Sequence, residues 1–215
     1  MMGISTLNLL KIIDRVTCKI APGPAPSFNA AHVVKVLELI GDYGSIGRIR
    51  LSKELGLGEG TTRTLLKHLK NEGITQSSRI GISLSEKGKK LFSNLRSKIS
   101  ACKEVPRSPL TIGTCNIAVL VRDSSEAVGS GMEQRDIAIK SGATGATTLI
   151  FSSNKLSLPT AEKNISESMP ELYEKLVTQF KPKENDVIIV GSGENRELAE
   201  IGAKMAAIKL LKNNN

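Results

Sequence analysis

The 215-residue chain is 40% hydrophobic and 24% charged, a balance that excludes a disordered protein and leaves room for one large or two small globular domains. Its longest apolar run, residues 117–121, is far short of the roughly 20 residues a membrane-spanning helix needs. The net charge of +9 is lopsided: 17 Lys and Arg face 8 Asp and Glu over residues 1–106, whereas 13 face 13 over 107–215.

A basic half joined to a neutral half points to one module that meets a polyanion and another that does something else. Aromatics are few, with 2 Tyr, 4 Phe and no Trp, which disfavours base stacking on single strands and favours reading of duplex through hydrogen bonds and phosphate contacts. Cys18, Cys102 and Cys115 are widely separated and form no C-x-x-C pair, so neither a disulfide framework nor a thiolate zinc site is implied; they are expected to be small buried hydrophobes. No basic start or small-residue cleavage site frames residues 1–16 as a signal peptide, and the chain is expected in the cytoplasm.

Along the chain, Ile4, Leu7, Leu10, Ile13 and Val16 form an apolar stripe on a first helix, which the Ala21 to Pro26 segment ends. A lone helix cannot bury such a stripe, so residues 1–20 are expected to dimerise the protein. Asn29 caps a second helix that buries Val33, Val36, Leu37 and Ile40 and runs to Gly41 or Gly44. A third helix, residues 50–55, stops at Gly56, and a fourth, residues 61–71, turns Thr62, Leu65, Leu66 and Leu69 inward before Gly73 closes it. Two short strands about Ser77, Ser78 and Arg79 make a hairpin in which Ile80, Ile82 and Leu84 alternate inward, and Ser85 caps a helix carrying Leu91, Phe92, Leu95 and Ile99. Helices joined by a tight glycine turn and followed by a hairpin give the winged helix-turn-helix order over residues 21–106. Beyond Pro109 the pattern reads strand 112–121, helix 131–141, strand 147–151, strand 155–158, helix 169–180, strand 187–190 and helix 194–211. The fold class is therefore α+β, a winged helix followed by a β-α-β-β-α-β-α domain over 107–215, with a frayed tail from Asn213.

The run GRIRLSKELGLGEGTTRTLLKHLKNEGI at 47–74, with LSEKGKKL at 84–91, resembles archaeal winged-helix transcriptional regulators. Together with PGPAPSFNAAHV at 22–33 and GMEQRDIAIKSGATGATTLIF at 131–151, the chain is similar over about 20–211 to an archaeal family in which a winged helix precedes a C-terminal domain of unknown function. Gly58 stands where many relatives place a Ser cap.

The candidate DNA-binding residues follow. Gly60, Thr61, Arg63, Thr64, Lys67 and His68 lie on or beside the outer face of the fourth helix, where donors at one-turn spacing reach base edges. Arg48 and Arg50 are placed for phosphates, and Arg79 at the hairpin tip for a minor groove. In the second half Gln134, Arg135 and Asp136 are candidate ligand-binding residues, set against a plain solvated helix with Asp136 and Lys140 as an i,i+4 pair. Gly191 and Gly193 lie in a strand, turn, helix pattern that can hold phosphate, although Glu194 and Glu197 repel an anion there and close packing explains the glycines better. With His32 and His68 both in the first half, a His-based triad is excluded from the second. No cofactor or metal is expected. The expected protein is a non-enzymatic regulator that binds double-stranded DNA as a homodimer, its second domain dimerising or sensing a small-molecule effector, with no membrane partner. Two rivals stay open: an enzyme acting on a nucleotide or small metabolite, and a winged helix used to bind protein.

Overall fold

The computed structural model describes residues 5–18 and 26–214; Ile4 of the N-terminal stripe, residues 21–25 of the proline-rich break and Asn215 of the tail lie outside the described residues. The chain divides into two compact units, residues 1–96 and 97–215. The division falls ahead of 106 because residues 99–105 already belong to the second sheet: Ser100 N–H donates to Leu120 O at 2.9 Å, and Lys103 pairs with Ala118.

In the first unit, α1 (Thr6–Thr17) starts at Ser5, whose hydroxyl accepts from the Asn8 N–H. Its apolar side, Leu9, Leu10, Ile12, Ile13 and Val16, is buried against α2 (Ala30–Tyr43) and α4 (Glu59–Asn71), and among the described residues of the expected stripe Leu7 alone is exposed. Arg15 fastens it to the end of α4 through a two-pronged pair with Glu72, at 2.8 and 3.0 Å. Leu10, Ile13 and Val16 of the stripe thus need no second copy to cover them, and the reason given for a dimerising N-terminal helix falls away. Asn29 caps α2 as expected, its side chain accepting from the Ala31 and His32 N–H groups while His32 Nδ1 accepts from the Asn29 N–H.

The turn between α3 (Arg48–Leu55) and α4 is set by Gly56 in the left-handed region, φ 66°, and locked by the Ser52 hydroxyl, which donates to Leu57 O. Strands β1 (Thr75–Ser78) and β2 (Gly81–Leu84) form a hairpin, and Ile46 bridges to Ile82 as a one-residue third strand. The expected alternation fails at its first member: Ile80 is the hairpin tip and 83% exposed, while Ile82 and Leu84 are buried. Helix α5 (Glu86–Lys98) begins at Ser85, whose Oγ accepts from Gly88 N–H, and Gly88 lets its first turn sit on Ile74, since a Cβ there would stand 2.1 Å from Ile74 O.

The second unit is a six-stranded antiparallel sheet in the order β3-β4-β8-β5-β6-β7, made of β3 (Lys103–Glu104), β4 (Cys115–Val121), β5 (Gly145–Ser152), β6 (Lys155–Leu158), β7 (Ala161–Asn164) and β8 (Val187–Gly193). The sequence pattern shows neither β3, too short for any alternation, nor β7. Strand parity divides the sheet. Ala118, Leu120, Leu149, Phe151, Ile188 and Val190 face α7 (Ile165–Ser168) and α8 (Pro170–Phe180), where Leu172, Leu176 and Phe180 complete an apolar core. The other face carries α6 (Met132–Lys140) and α9 (Arg196–Asn213). Ser153 and Asn154, with φ 50° and 61°, make the two-residue turn between β5 and β6. The tail does not fray at Asn213 and Asn214: their side-chain amides donate to Glu133 and to Asp123 O, at 2.6 and 2.8 Å. Cys18 is exposed and Cys102 and Cys115 are half-buried, so the cysteines are less internal than expected.

Candidate functional site

In the first unit the site is the outer side of α4 and the starts of the two helices that flank the turn. Thr62, Leu65, Leu66 and Leu69 are buried, which fixes the rotation of α4 and leaves Gly60, Arg63, Thr64, Lys67 and Lys70 exposed, with Thr61 half-buried. Thr64 Oγ1 donates back to Gly60 O at 3.1 Å and keeps its lone pairs outward. His68 does not belong to this face. It is 7% exposed, its Nδ1 donates to Val16 O at 2.7 Å, and its ring meets Phe28 edge-on at 5.6 Å. The cause is α1, which covers the flank of α4 that the sequence pattern left open.

Both α3 and α4 begin at glycines, Gly47 and Gly58, and no side chain caps either helix. Nothing stands within 4 Å of where a Cβ would be at Gly47, Gly58 or Gly60, so the glycines at these helix starts sit in open space, and a helix start carries partial positive charge. Arg48, Ile49, Glu59, Thr62 and Arg63 line a cleft of about 140 Å³ at the start of α4. The Thr62 hydroxyl in its wall has no hydrogen-bond partner among the described residues. Two arginines, a free hydroxyl and a helix start suit an anion, and Glu59 is the one opposing charge lining that cleft. Arg50 is partly engaged, stacked 4.2 Å over the Tyr43 ring and 3.9 Å from Glu54. Arg79 is exposed at the hairpin tip beside Ile80.

In the second unit the expected ligand residues separate. Arg135 pairs with its neighbour Asp136 at 3.1 Å, which replaces the expected Asp136 and Lys140 pair. Gln134 points inward and is 1% exposed, and neither its Oε1 nor its Nε2 has a partner among the described residues. An unsatisfied buried polar group costs about 1–3 kcal/mol. Thr148, a residue 3% exposed on the α6 side of β5, likewise has a buried hydroxyl without a partner among the described residues. The burial of Gln134 was not legible in the sequence, because it stands between charged neighbours on a nine-residue helix with charges at four positions. Glu133 accepts from Lys209 Nζ at 2.9 Å and from Asn213, and these two donors hold its carboxyl below the usual carboxylate range.

Gly191 and Gly193 are not in a turn. Both lie within β8, and α9 starts only after Asn195, whose side chain accepts from the Leu198 N–H at 2.9 Å. A Cβ at Gly191 would stand 2.3 Å from Ala199 O, and one at Gly193 2.6 Å from Ala199 N, so the helix backbone fills the place a phosphate would need. Among the described residues no group of three or more His, Cys, Asp or Glu is placed to hold a metal ion, and no helix is long and apolar enough to cross a membrane.

Fold and surface together define a two-unit α+β protein with a basic helical unit and an antiparallel sheet unit covered by helices on both faces. Residues 33–90 match a family model described as PH0730-like, N-terminal domain, and residues 112–210 match a domain of unknown function, DUF4443. The chain is similar to the solved structure of hypothetical protein PH0730 from Pyrococcus horikoshii OT3, at 31% sequence identity and a TM-score of 0.71, across 86% of this chain and 94% of that one. The chain belongs to the PH0730-like family. The expected similarity of the chain to an archaeal family with a C-terminal domain of unknown function therefore holds. No curated protein matches the chain.

Proposed function

We propose that the protein is a non-enzymatic regulator that binds double-stranded DNA sequence-specifically, with its first unit as a winged helix-turn-helix and its second unit as the sensor of a small effector. The observation that carries this reading is the two-sided build of α4, which is glued down by Thr62, Leu65 and Leu69 and offers Arg63, Thr64 and Lys67 outward at the spacing of base edges in a major groove. The order α2, α3, α4, hairpin, α5, with Ile46 extending the hairpin, supports the winged-helix assignment. Residues 1–96 hold 15 Lys and Arg against 7 Asp and Glu, whereas 97–215 hold 15 against 14, so the charge excess stays with the unit that carries α4. In this reading Arg48 and the uncapped starts of α3 and α4 meet phosphates, and Arg79 enters the minor groove. A homodimer built on α1 is no longer part of the reading.

Fluorescence anisotropy of the full chain on a genomic duplex selected for binding and on a scrambled one, at two salt concentrations, tests it. Arg63→Ala is expected to lose about 1–3 kcal/mol on the selected duplex and little on the scrambled one. Arg48→Ala is expected to weaken both equally and to make the slope of log affinity against log salt shallower by about 0.9, the effect of one lost phosphate contact. Absence of salt-dependent duplex binding by the wild type would overturn the reading.

A further inference from the structure

The hairpin of the first unit ends in Arg79 and Ile80, the two residues between the paired Ser78 and Gly81. Ile80 is 83% exposed, the most open large apolar residue among those described; Ile49 and Ile112 follow at 64%. The turn itself does not ask for an isoleucine. Two-residue loops favour Asn, Asp and Gly, and here Gly81, at φ 134°, takes the unusual backbone conformation instead. The core does not ask for it either, since Ile82 and Leu84 are the buried members of the strand. The tip is nevertheless held firmly. Ser45 Oγ donates to Ile80 O at 3.3 Å, Ser78 Oγ donates to Gly81 O at 3.2 Å, and Ile46 and Ile82 exchange two backbone hydrogen bonds of 3.0 Å. Gly81 lies so close to this buttress that a Cβ on it would stand 2.8 Å from Ile46 O. A β-branched side chain, stiff at χ1, on a pinned backbone makes a rigid apolar point.

The surroundings of this point select its partner. Residues 75–85 hold no carboxylate, and Arg79 is their one charge, exposed and without an ion pair among the described residues. Behind the tip stand Ser77, Ser78 and Gly81, so the long side chains at this end are Arg79 and Ile80 alone. Such a slim end suits the minor groove, which is only about 6 Å wide. The buttress at Ser45 and Ile46 leads directly into Gly47 and Arg48 at the start of α3, so the tip is tied to the segment that carries a proposed phosphate contact. A cation seated in a minor groove beside an apolar side chain is the combination with which architectural proteins part a base step and kink the duplex. We propose that Ile80 is such a wedge: with Arg79 in the minor groove, it enters between two stacked base pairs and bends the DNA. The inference rests on the duplex-binding reading above and adds a deformation of the duplex to it.

The full chain is bound to the selected duplex carrying a donor dye at one end and an acceptor dye at the other, and energy transfer reports the end-to-end distance. The wild type is expected to bend the duplex by about 20–90°. Ile80→Ala is expected to straighten it and to weaken binding several-fold, with the salt slope unchanged, because an apolar contact releases no counterion. Its melting temperature without DNA should equal that of the wild type, since the side chain is exposed. Ile80→Phe, a wedge of another shape, is expected to keep the bend. Arg79→Ala, by contrast, is expected to make the salt slope shallower by about 0.9. Absence of duplex binding by the wild type would overturn the duplex-binding reading and the wedge together. Binding to a straight duplex, or a bend that survives in Ile80→Ala, would overturn the wedge alone and leave that reading in place. Self-association in sedimentation that Ile80→Ala abolishes, with the bound duplex straight, would overturn it in favour of a contact between copies of the chain.

Discussion

Replacing Gly191 by alanine puts one methyl group where α9 meets the central strand. That Cβ would lie 2.3 Å from Ala199 O, 2.6 Å from Ala203 N and 3.0 Å from Ala203 Cβ, and ordinary contact begins at 3.4 Å, so the helix must back away by about 1 Å. Two of the three obstacles are backbone atoms of α9, which no rotamer change can move. Overpacking costs typically 1–3 kcal/mol, and a whole helix displaced from a fully buried strand puts this case at about 3 kcal/mol. For a unit of this size that corresponds to a melting temperature lower by roughly 10 °C. Gly129→Ala is the matched control: its Cβ meets nothing within 4 Å, and its effect should stay within about 0.5 kcal/mol. Calorimetric melting, following the transition of the second unit, makes the comparison. A Gly191→Ala protein that melts with the wild type would refute the reasoning, above all if it had lost affinity for an anion, since a phosphate-cradling glycine predicts that pair of results.

Three other substitutions separate readings that the sequence left together. Leu9→Ala should destabilise the protein by about 2–5 kcal/mol independently of protein concentration, because Leu9 is fully buried within its own unit; sedimentation and denaturant unfolding over a hundredfold concentration range distinguish this from a helix that only dimerises. His68→Ala should lower stability, through loss of its bond to Val16 O and its contact with Phe28, while sparing sequence discrimination in the anisotropy assay; a loss on the selected duplex alone would return His68 to the recognition face. The hydrogen bond from Arg15 holds the Glu72 carboxyl below its ordinary value of 4.5, so this contribution is present in full above that value and is lost as pH falls through the depressed one. Urea midpoints of Glu72→Gln should accordingly lie below wild type at pH 7 and draw level at the acid end. A gap that persists unchanged at pH 3 would contradict the assignment.

Most elements were legible because their signals are local. Asn29 and Ser85 as caps, Gly56 as a left-handed stop and the inward set Thr62, Leu65, Leu69 each depend on a few neighbouring residues, and the structure has them as read. What was not legible depended on a partner distant in sequence. The α1 stripe was visible, but nothing in residues 1–20 says that α2 and α4 receive it, and the same gap misplaced His68, whose acceptor lies 52 residues away. Gly191 and Gly193 read equally well as a turn or as a strand under a close helix; the deciding facts are Ala199 and Ala203 on α9. Gln134 sits among Glu133, Arg135 and Asp136, so its burial shows only once β5 is in place behind it.

The last strand made is the one in the middle. β8 pairs with β4 on one side and β5 on the other, so neither half of the second sheet is joined until residues 187–193 exist. Val121 of β4 waits 66 positions for its partner Val187, which at ~5–20 residues per second of synthesis is roughly 3–13 s. During that interval the first unit has all its residues and is free to close, while β4, buried along almost its whole length in the finished protein, presents a bare apolar edge. Finished, the sheet ends at β3 in two exposed charged residues, Lys103 and Glu104, which discourage pairing with another chain; nascent, it has no such guard on β4's other side. A chain cut short before β8 would therefore yield two mutually unattached half-sheets rather than a smaller version of the domain.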